Sequence, residues 1–317
     1  MSQSESHFHF ASAPVSWGIE DNPDAAWEAL PYERVLDEIA AAGYSGTELG
    51  PYGYFPTDAA VLSRALAARR LTMLSSFVPV PLSDPQAAGQ VVEHVRQVGS
   101  LLAALGARLL VLADAQSPAR VKLAGRVPID GSQSLSSEQW RQVGRLVAET
   151  ERAAAEFDLG LVFHPHVATY VETPAEVERF FDAVSATGTG LCLDTGHCVY
   201  GGGDPLDEAR KYRSLLRYVH IKDIDAPTLG KVRREALDFP QAIAAGVFSQ
   251  VGRGCIDFTE FFRWLQAEGY SGWMIVEQDV KFGETAVAPL ESMRLSLDYL
   301  KGVVADLRSQ PSHAAAQ

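Results

Sequence analysis

Eight times along its 317 residues, this chain passes from a short run that is apolar on both faces to a longer run that is apolar on one. Short runs of that kind suit parallel strands buried beneath helices, and the longer ones carry the 3.6-residue period of amphipathic helices. The strand-like runs are Phe8–Ser16, Gly46–Leu49, Thr72–Phe77, Arg108–Ala113, Gly160–His164, Gly190–Asp194, Tyr218–Lys222 and Trp273–Glu277. The helix-like runs are Tyr32–Ala42, Asp58–Arg69, Asp84–Leu105, Ser136–Phe157, Thr173–Ala186, Pro205–Ser214, Asp257–Glu268 and Ala286–Leu307. In Tyr32–Ala42 the apolar stripe is Tyr32, Val35, Leu36 and Ile39, and the run stops at Gly43, as a helix ending on glycine does. Thr173-Pro174-Ala175-Glu176 reads as a capping box with proline in the first turn.

Eight strand–helix pairs predict an α/β fold of the (β/α)8 TIM barrel type, whose usual size is ~250 residues. A doubly wound sheet would carry a glycine-rich phosphate loop after its first strand. Here Trp17-Gly18-Ile19 follows instead, and Gly201-Gly202-Gly203 lacks the Lys-Ser/Thr pair of a P-loop. We expect one domain over residues 8–308, flexible tails at 1–7 and 309–317, and inserts at about 116–133 and 224–257 over the ends of strands four and seven. The 47% hydrophobic and 21% charged content excludes global disorder. A net charge of −13, with no basic cluster beyond the Arg233-Arg234 pair, argues against nucleic acid or an anionic membrane as partner. No run approaches the ~20 apolar residues of a membrane span, and the first ten residues lack a signal peptide's features, so the expected location is the cytoplasm. Cys192, Cys198 and Cys255 form no CxxC pair, and Cys192 reads as a small buried hydrophobe.

In a barrel, chemistry gathers at the carboxyl ends of the strands, where the loops open. Strand two ends in Thr47-Glu48-Leu49-Gly50, five in Phe163-His164-Pro165-His166, and six in Leu193-Asp194-Thr195-Gly196-His197. Strand seven ends in Val219-His220-Ile221-Lys222-Asp223 and eight in Val276-Glu277-Gln278-Asp279. Period-two alternation puts His164 with His166, and His220 with Lys222, on common faces. One histidine at a strand end is more often a hydrogen-bonded structural residue than a ligand. Four consecutive strands ending this way are different. Asp194 and Glu277 facing each other at ~4–5 Å would repel by several kcal/mol at an effective dielectric of ~20, and a divalent cation removes the conflict. Imidazole and carboxylate without thiolate suit Mn²⁺, Co²⁺, Fe²⁺ or Zn²⁺ better than Ca²⁺ or Mg²⁺.

These strand ends resemble the xylose-isomerase-like barrel superfamily of sugar isomerases, ketose epimerases and dehydratases over roughly residues 8–305. Ala13-Pro14-Val15-Ser16-Trp17-Gly18 and Ala42-Gly43-Tyr44-Ser45-Gly46-Thr47-Glu48-Leu49-Gly50 look most like inosose dehydratases, which remove water from 2-keto-myo-inositol. Leu193–His197 and His220–Asp223 are similar to their motifs too. The resemblance implies one divalent ion, Mn²⁺ or Co²⁺ first and Zn²⁺ or Fe²⁺ next, held by Asp194, His220 and Glu277. His164 stands where the epimerases and isomerases supply a glutamate, and either His164 or His166 is the strand-five ligand. It also implies a small keto-sugar or keto-cyclitol substrate and, as for many such barrels, a homo-oligomer.

The residues then suit β-elimination from a cyclic keto-polyol, a hydro-lyase reaction. His166 or Glu277 is the base, Glu48 the acid or an orienting group, and Lys222 stabilises enolate charge or donates to the leaving oxygen. Trp17, Tyr170 and His197 are expected to bind substrate. The plainer alternatives are a loop salt bridge for Lys222 and a loop cap for Glu48. Trp17, Tyr52, Tyr54 and Phe55 either pack on a sugar ring or anchor loops. Rival activities are a metal-dependent keto-sugar isomerase or 3-epimerase, and a lyase acting on 3-keto-glycosides. A DNA-repair endonuclease would need a basic face that this chain lacks, and a non-catalytic sugar-binding subunit would have lost Asp194 or Glu277.

Overall fold

The computed structural model describes residues 8–20, 25–285 and 287–309. Its strands, in chain order, are β1 (Phe8–Ser12), β2 (Gly46–Thr47), β3 (Thr72–Met73), β4 (Phe77–Val80), β5 (Leu109–Asp114) and β6 (Gly160–Phe163). They continue with β7 (Gly190–Asp194), β8 (Leu216–Ile221), β9 (Asp223–Ile224), β10 (Phe248–Ser249) and β11 (Gly272–Val276). The main sheet runs β3-β2-β1-β11-β8-β7-β6-β5-β4, with parallel pairing throughout. Its two edges belong to one stretch of chain. Leu49 N donates to Ser75 O at 2.9 Å on one side of that stretch, and Val111 N to Ser76 O at 3.0 Å on the other. The sheet therefore closes on itself with residues 72–80 as the third of eight staves, the TIM barrel that the alternation predicts.

Several boundaries differ from the sequence-based expectation. The first strand stops at Ser12 and not Ser16, because Pro14 opens a 3₁₀ turn, Pro14–Trp17, closed by Gly18 at φ 78°. The third strand is split at residues 74–76, and the fourth runs one residue further, to Asp114. The seventh starts at Leu216 and ends at Ile221. The helix expected from Asp84 starts at Ala88; before it, Gln86 N donates to the Asp84 carboxylate at 2.9 Å in a side-chain turn. The last helix is Pro289–Ser309, so Ser309 belongs to the helix. Residues 1–7 and 310–317 lie outside the described residues. No helix among the described residues is long and apolar enough to cross a membrane.

Both inserts are ordered over the strand ends. The first carries the helix Pro118–Leu123; the second carries Ala226–Glu235, Phe239–Ala244 and the antiparallel β9–β10 pair. Each is tied down by a buried charge. Arg120, 1% exposed, makes two bonds to the Glu176 carboxylate at 2.7 and 2.8 Å and stands 3.8 Å from Glu172. Asp223 accepts backbone N–H from Ile224, Gly252, Gly254 and Ile256, so the last residue of the His220-Ile221-Lys222-Asp223 motif is an anchor for the second insert. Arg120→Ala leaves two buried carboxylates without their cation and is expected to cost about 3–5 kcal/mol in urea unfolding. A loss under about 1 kcal/mol would show that the pair does not anchor the insert.

Candidate active site

Parallel register brings the strand ends level. Asp194 pairs with His220 across β7 and β8, and Glu277 N donates to Ile221 O at 3.0 Å to extend β11 alongside β8. His164, Asp194, His220 and Glu277 are buried, at 1%, 2%, 1% and 4% exposed, while the alternative strand-five ligand, His166, is half-buried. Against the two acids lies an ammonium. Lys222 Nζ lies 3.2 Å from Asp194 Oδ2, 3.1 Å from Glu277 Oε2 and 2.8 Å from Asp279 Oδ1. Burial by itself would lower the Lys222 pKa, but the carboxylates of Asp194, Asp279 and Glu277 hold it well above the ordinary lysine value. Burial would likewise raise the carboxyls of Asp194 and Glu277, yet nearby cationic groups keep both well below their usual range.

The Asp194-Thr195-Gly196-His197 motif builds this arrangement. Asp194 caps the short helix Thr195–Tyr200, its Oδ1 accepting from His197 N at 2.8 Å, which leaves Oδ2 for the site. Thr195 Oγ1 donates to Lys222 O at 2.7 Å and accepts from Lys222 N at 2.9 Å. Gly196 must be glycine, because a Cβ there would stand 2.8 Å from the Lys222 Cβ. His197 Nε2 lies 3.1 Å from Lys222 Nζ. All four residues of the motif thus act on one lysine.

His220 is held from both ends. Nε2 lies 3.0 Å from Glu48 Oε1, while Nδ1 lies 3.2 Å from Glu277 Oε2 and 4.0 Å from Asp194 Oδ2. Burial opposes its charging, but Cys192, Glu277 and Glu48 together raise its pKa well above the ordinary histidine value. Ser75 Oγ donates to Glu48 Oε1 at 2.7 Å and sits 2.9 Å from Tyr218 Oη, so Glu48 is itself fixed. These contacts fit a divalent ion. Two donors each about 2.1 Å from an ion stand roughly 3.0–3.5 Å apart, and the ligand atoms of His164, Asp194 and His220 lie within 4.8 Å of one another, as do those of Glu48, His220 and Glu277. The His164 ring turns Nε2 to Asp194 Oδ2 at 3.3 Å, and its buried Nδ1 has no protein partner. Glu48, 3.0 Å from His220 Nε2, would orient that ring if its other nitrogen held an ion.

A cavity of about 630 Å³ opens above this floor, reached by Glu48, His164, His166, His220, Lys222 and Glu277. His166 Nδ1 donates to Val167 O at 2.6 Å, leaving the lone pair on Nε2. Burial, with the neighbouring His197 and His164, holds its pKa well below the ordinary value, so it is neutral. Three residues expected to contact substrate do not line this cavity. Trp17 is 2% exposed in the core and donates from Nε1 to Glu38 at 2.7 Å; it does not line the cavity. Tyr170 stacks over the Arg120 guanidinium, 5.4 Å from its ring centre, outside the cavity. His197 lies one layer down, against Lys222 and, at 3.4 Å, Asp279. Tyr54 and Phe55 are also core, Tyr54 donating to Leu30 O.

The profile of the xylose isomerase-like TIM barrel family matches residues 36–302. The chain belongs to this family. Inosose dehydratase of Clostridium botulinum is 30% identical over 290 residues, covering 91% of this chain and 94% of its own. The rhizopine catabolism protein MocC of Rhizobium meliloti is 34% identical over 269 residues, 84% and 80% of the two chains. Among solved structures, an L-ribulose 3-epimerase superposes with a TM-score of 0.70 at 16% identity over 99% of both chains. The probable 3-DHS dehydratase AsbF of Bacillus anthracis gives 0.66 at 12% identity over 92% and 98%. At those identities the superpositions speak for the family's barrel alone.

Two acids on this barrel's cavity wall escaped the sequence reading. Asp279 follows Glu277 by two residues, so period-two alternation could have placed it on the same face. Asp114 is the last residue of β5, one beyond the expected end of that strand. Its carboxylate accepts from Leu82 N and Tyr170 N, and burial pushes its pKa up from 3.8 to about 6. A raised carboxyl favours the folded state when protonated, so its contribution is full below about pH 4 and lost as pH rises through about 6. Asp114→Asn is therefore expected to flatten the thermal midpoint against pH between about 4 and 6.5; a wild-type slope in the variant would assign that slope to other groups.

Proposed function

We propose that this chain is a metal-dependent hydro-lyase that removes water from a cyclic keto-polyol such as 2-keto-myo-inositol. The observation that carries the reading is the buried cluster of Asp194 and Glu277 on His220 and Lys222 at the floor of an open cavity. The inosose dehydratase relatives, spanning most of the chain, support it. Asp194, His220 and Glu277, with His164 beside them, would hold a divalent cation, which supplies Lewis acidity toward the ketone oxygen.

The chain's own residues supply the proton transfers. His166 is neutral with a lone pair on Nε2, and it accepts the proton from the carbon next to the ketone. Glu277 is the weaker candidate for that step, because His220 and Lys222 already engage its carboxylate. Lys222, with its ammonium beside Asp194, Glu277 and Asp279, offsets the enolate's negative charge. Asp114 lines the same cavity, and with a pKa of about 6 it retains a proton longer than an ordinary aspartate. Asp114 is the candidate we assign to protonate the β-hydroxyl as the C–O bond breaks and water leaves. The hydroxyl left on the α-carbon makes the product an enol, which tautomerises to a dione.

Chelation with EDTA is expected to abolish turnover and Mn²⁺ or Co²⁺ to restore it; full activity in metal-free protein overturns the mechanism. Lys222→Met is expected to lower kcat by about 10²–10³ while metal stoichiometry is retained, whereas Asp194→Ala loses both. In deuterated water the product should absorb in the ultraviolet as the dione. Recovery of a deuterated isomer of the starting ketone would replace dehydration with epimerisation, a chemistry that the strand-five His164, standing where the epimerases carry a glutamate, does not favour.

A further inference from the structure

The loop between β6 and the helix Pro174–Ala183 carries one of the two groups assigned to proton transfer and holds the other. His166 N donates to Val171 O at 3.1 Å, and Thr169 Oγ1 donates to His166 O at 2.7 Å while accepting from Val171 N at 3.1 Å. These bonds close residues 166–171 into one turn, on which the His166 ring bonds to Val167 O. From the same turn Tyr170 N donates to Asp114 Oδ2 at 3.0 Å. The base and the acid therefore depend on one short stretch of backbone.

In the middle of that turn Ala168 stands at φ 68°. The left-handed region is uncommon for a residue with a Cβ and persists where surrounding contacts impose it. Here they come from both sides. Ala168 N donates to Glu172 Oε2 at 2.8 Å, and Ala168 O accepts from Ser117 N at 3.2 Å. Glu172, its side chain fully buried, spends its other oxygen, Oε1, on Gly125 N of the first insert at 2.7 Å. Two N–H donors on two oxygens need a carboxyl group, because a glutamine would turn its NH2 toward one of them. Neighbouring structure does not require Glu172. The helix that follows is capped by Thr173 and Glu176, and Arg120 makes its paired bonds to Glu176.

Resting on the dehydratase reading above, we infer that Glu172 is a positioning residue for the elimination: by holding Ala168 in the left-handed conformation, it sets the His166 base and, through Tyr170, the Asp114 acid. Glu172 does not line the cavity, so it acts on substrate only through this turn. Its loss misplaces the groups that move protons and leaves the metal-binding side chains of strands six to eight as they are.

The test compares the Mn²⁺-loaded wild type, Glu172→Gln, and the double variant Glu172→Gln, Ala168→Gly. It measures KM, kcat per bound Mn²⁺, and the deuterium isotope effect on kcat for 2-keto-myo-inositol deuterated at both carbons next to the carbonyl. In Glu172→Gln, kcat is expected to fall by about 10–100-fold with KM within about twofold of wild type, and with an isotope effect at or above the wild-type value. Glycine adopts φ 68° unaided, so the double variant is expected to recover most of that loss. Wild-type kcat in Glu172→Gln overturns the inference and leaves the dehydratase reading intact, as does a loss that the glycine does not recover or an isotope effect below the wild type's. If Glu172→Gln fails to fold, a folded double variant with near-wild-type kcat supports the inference; failure of both to fold makes Glu172 a residue of the fold alone and overturns it. A wild type that does not dehydrate the ketone overturns the dehydratase reading and the inference with it.

Discussion

A buried ammonium holds the mouth of this barrel together. Lys222 lies within 3.2 Å of oxygens from Asp194, Glu277 and Asp279, three acids delivered by two different strand ends. Without a cation among them, carboxylates at ~4–5 Å repel by several kcal/mol at an effective dielectric of ~20. Lysine suits the role as a compact point charge on a long stem. Its geometry is then determined by what surrounds it, from the Thr195 hydroxyl bonded to its backbone to the Gly196 that makes room for its Cβ.

The same cluster explains why the site is both charged and rigid. Buried polar groups are tolerable when satisfied and costly when not, and here most of the anions have two or more partners. Asp194 caps a helix with one oxygen and faces the site with the other. Glu48 is shared between His220 and Ser75. Asp223 spends its carboxylate on four backbone N–H groups that hold the second insert. Chemistry and architecture therefore share residues: the insert that Asp223 anchors is the one that brings Pro240 and Ile243 to the cavity wall.

Much of this was legible in the chain. Strand–helix alternation identified the barrel, because a parallel strand buried on both faces leaves an apolar run that few other elements produce. Polar residues at the ends of those runs pointed to His164, Asp194, His220, Lys222 and Glu277, because the loops of a barrel open at one end only. The errors cluster where local pattern is weak. Ending the fourth strand at Ala113 hid Asp114. Reading Trp17 and Tyr170 as substrate contacts followed their position in loops; the structure gives one indole to Glu38 and the other ring to Arg120. Ser75 and Tyr218, which fix Glu48, are marked by nothing in the sequence, since their hydroxyls matter only through contacts between residues 27 and 143 positions apart.

The sequence by itself determined the elements, their order and the side chains that end each strand, because those depend on periodicity and composition within a few residues. Tertiary structure alone decided which of those side chains meet. Register and closure of the sheet set the distances between strands, and the long-range packing of the inserts set which aromatic rings became core and which loop residues line the cavity.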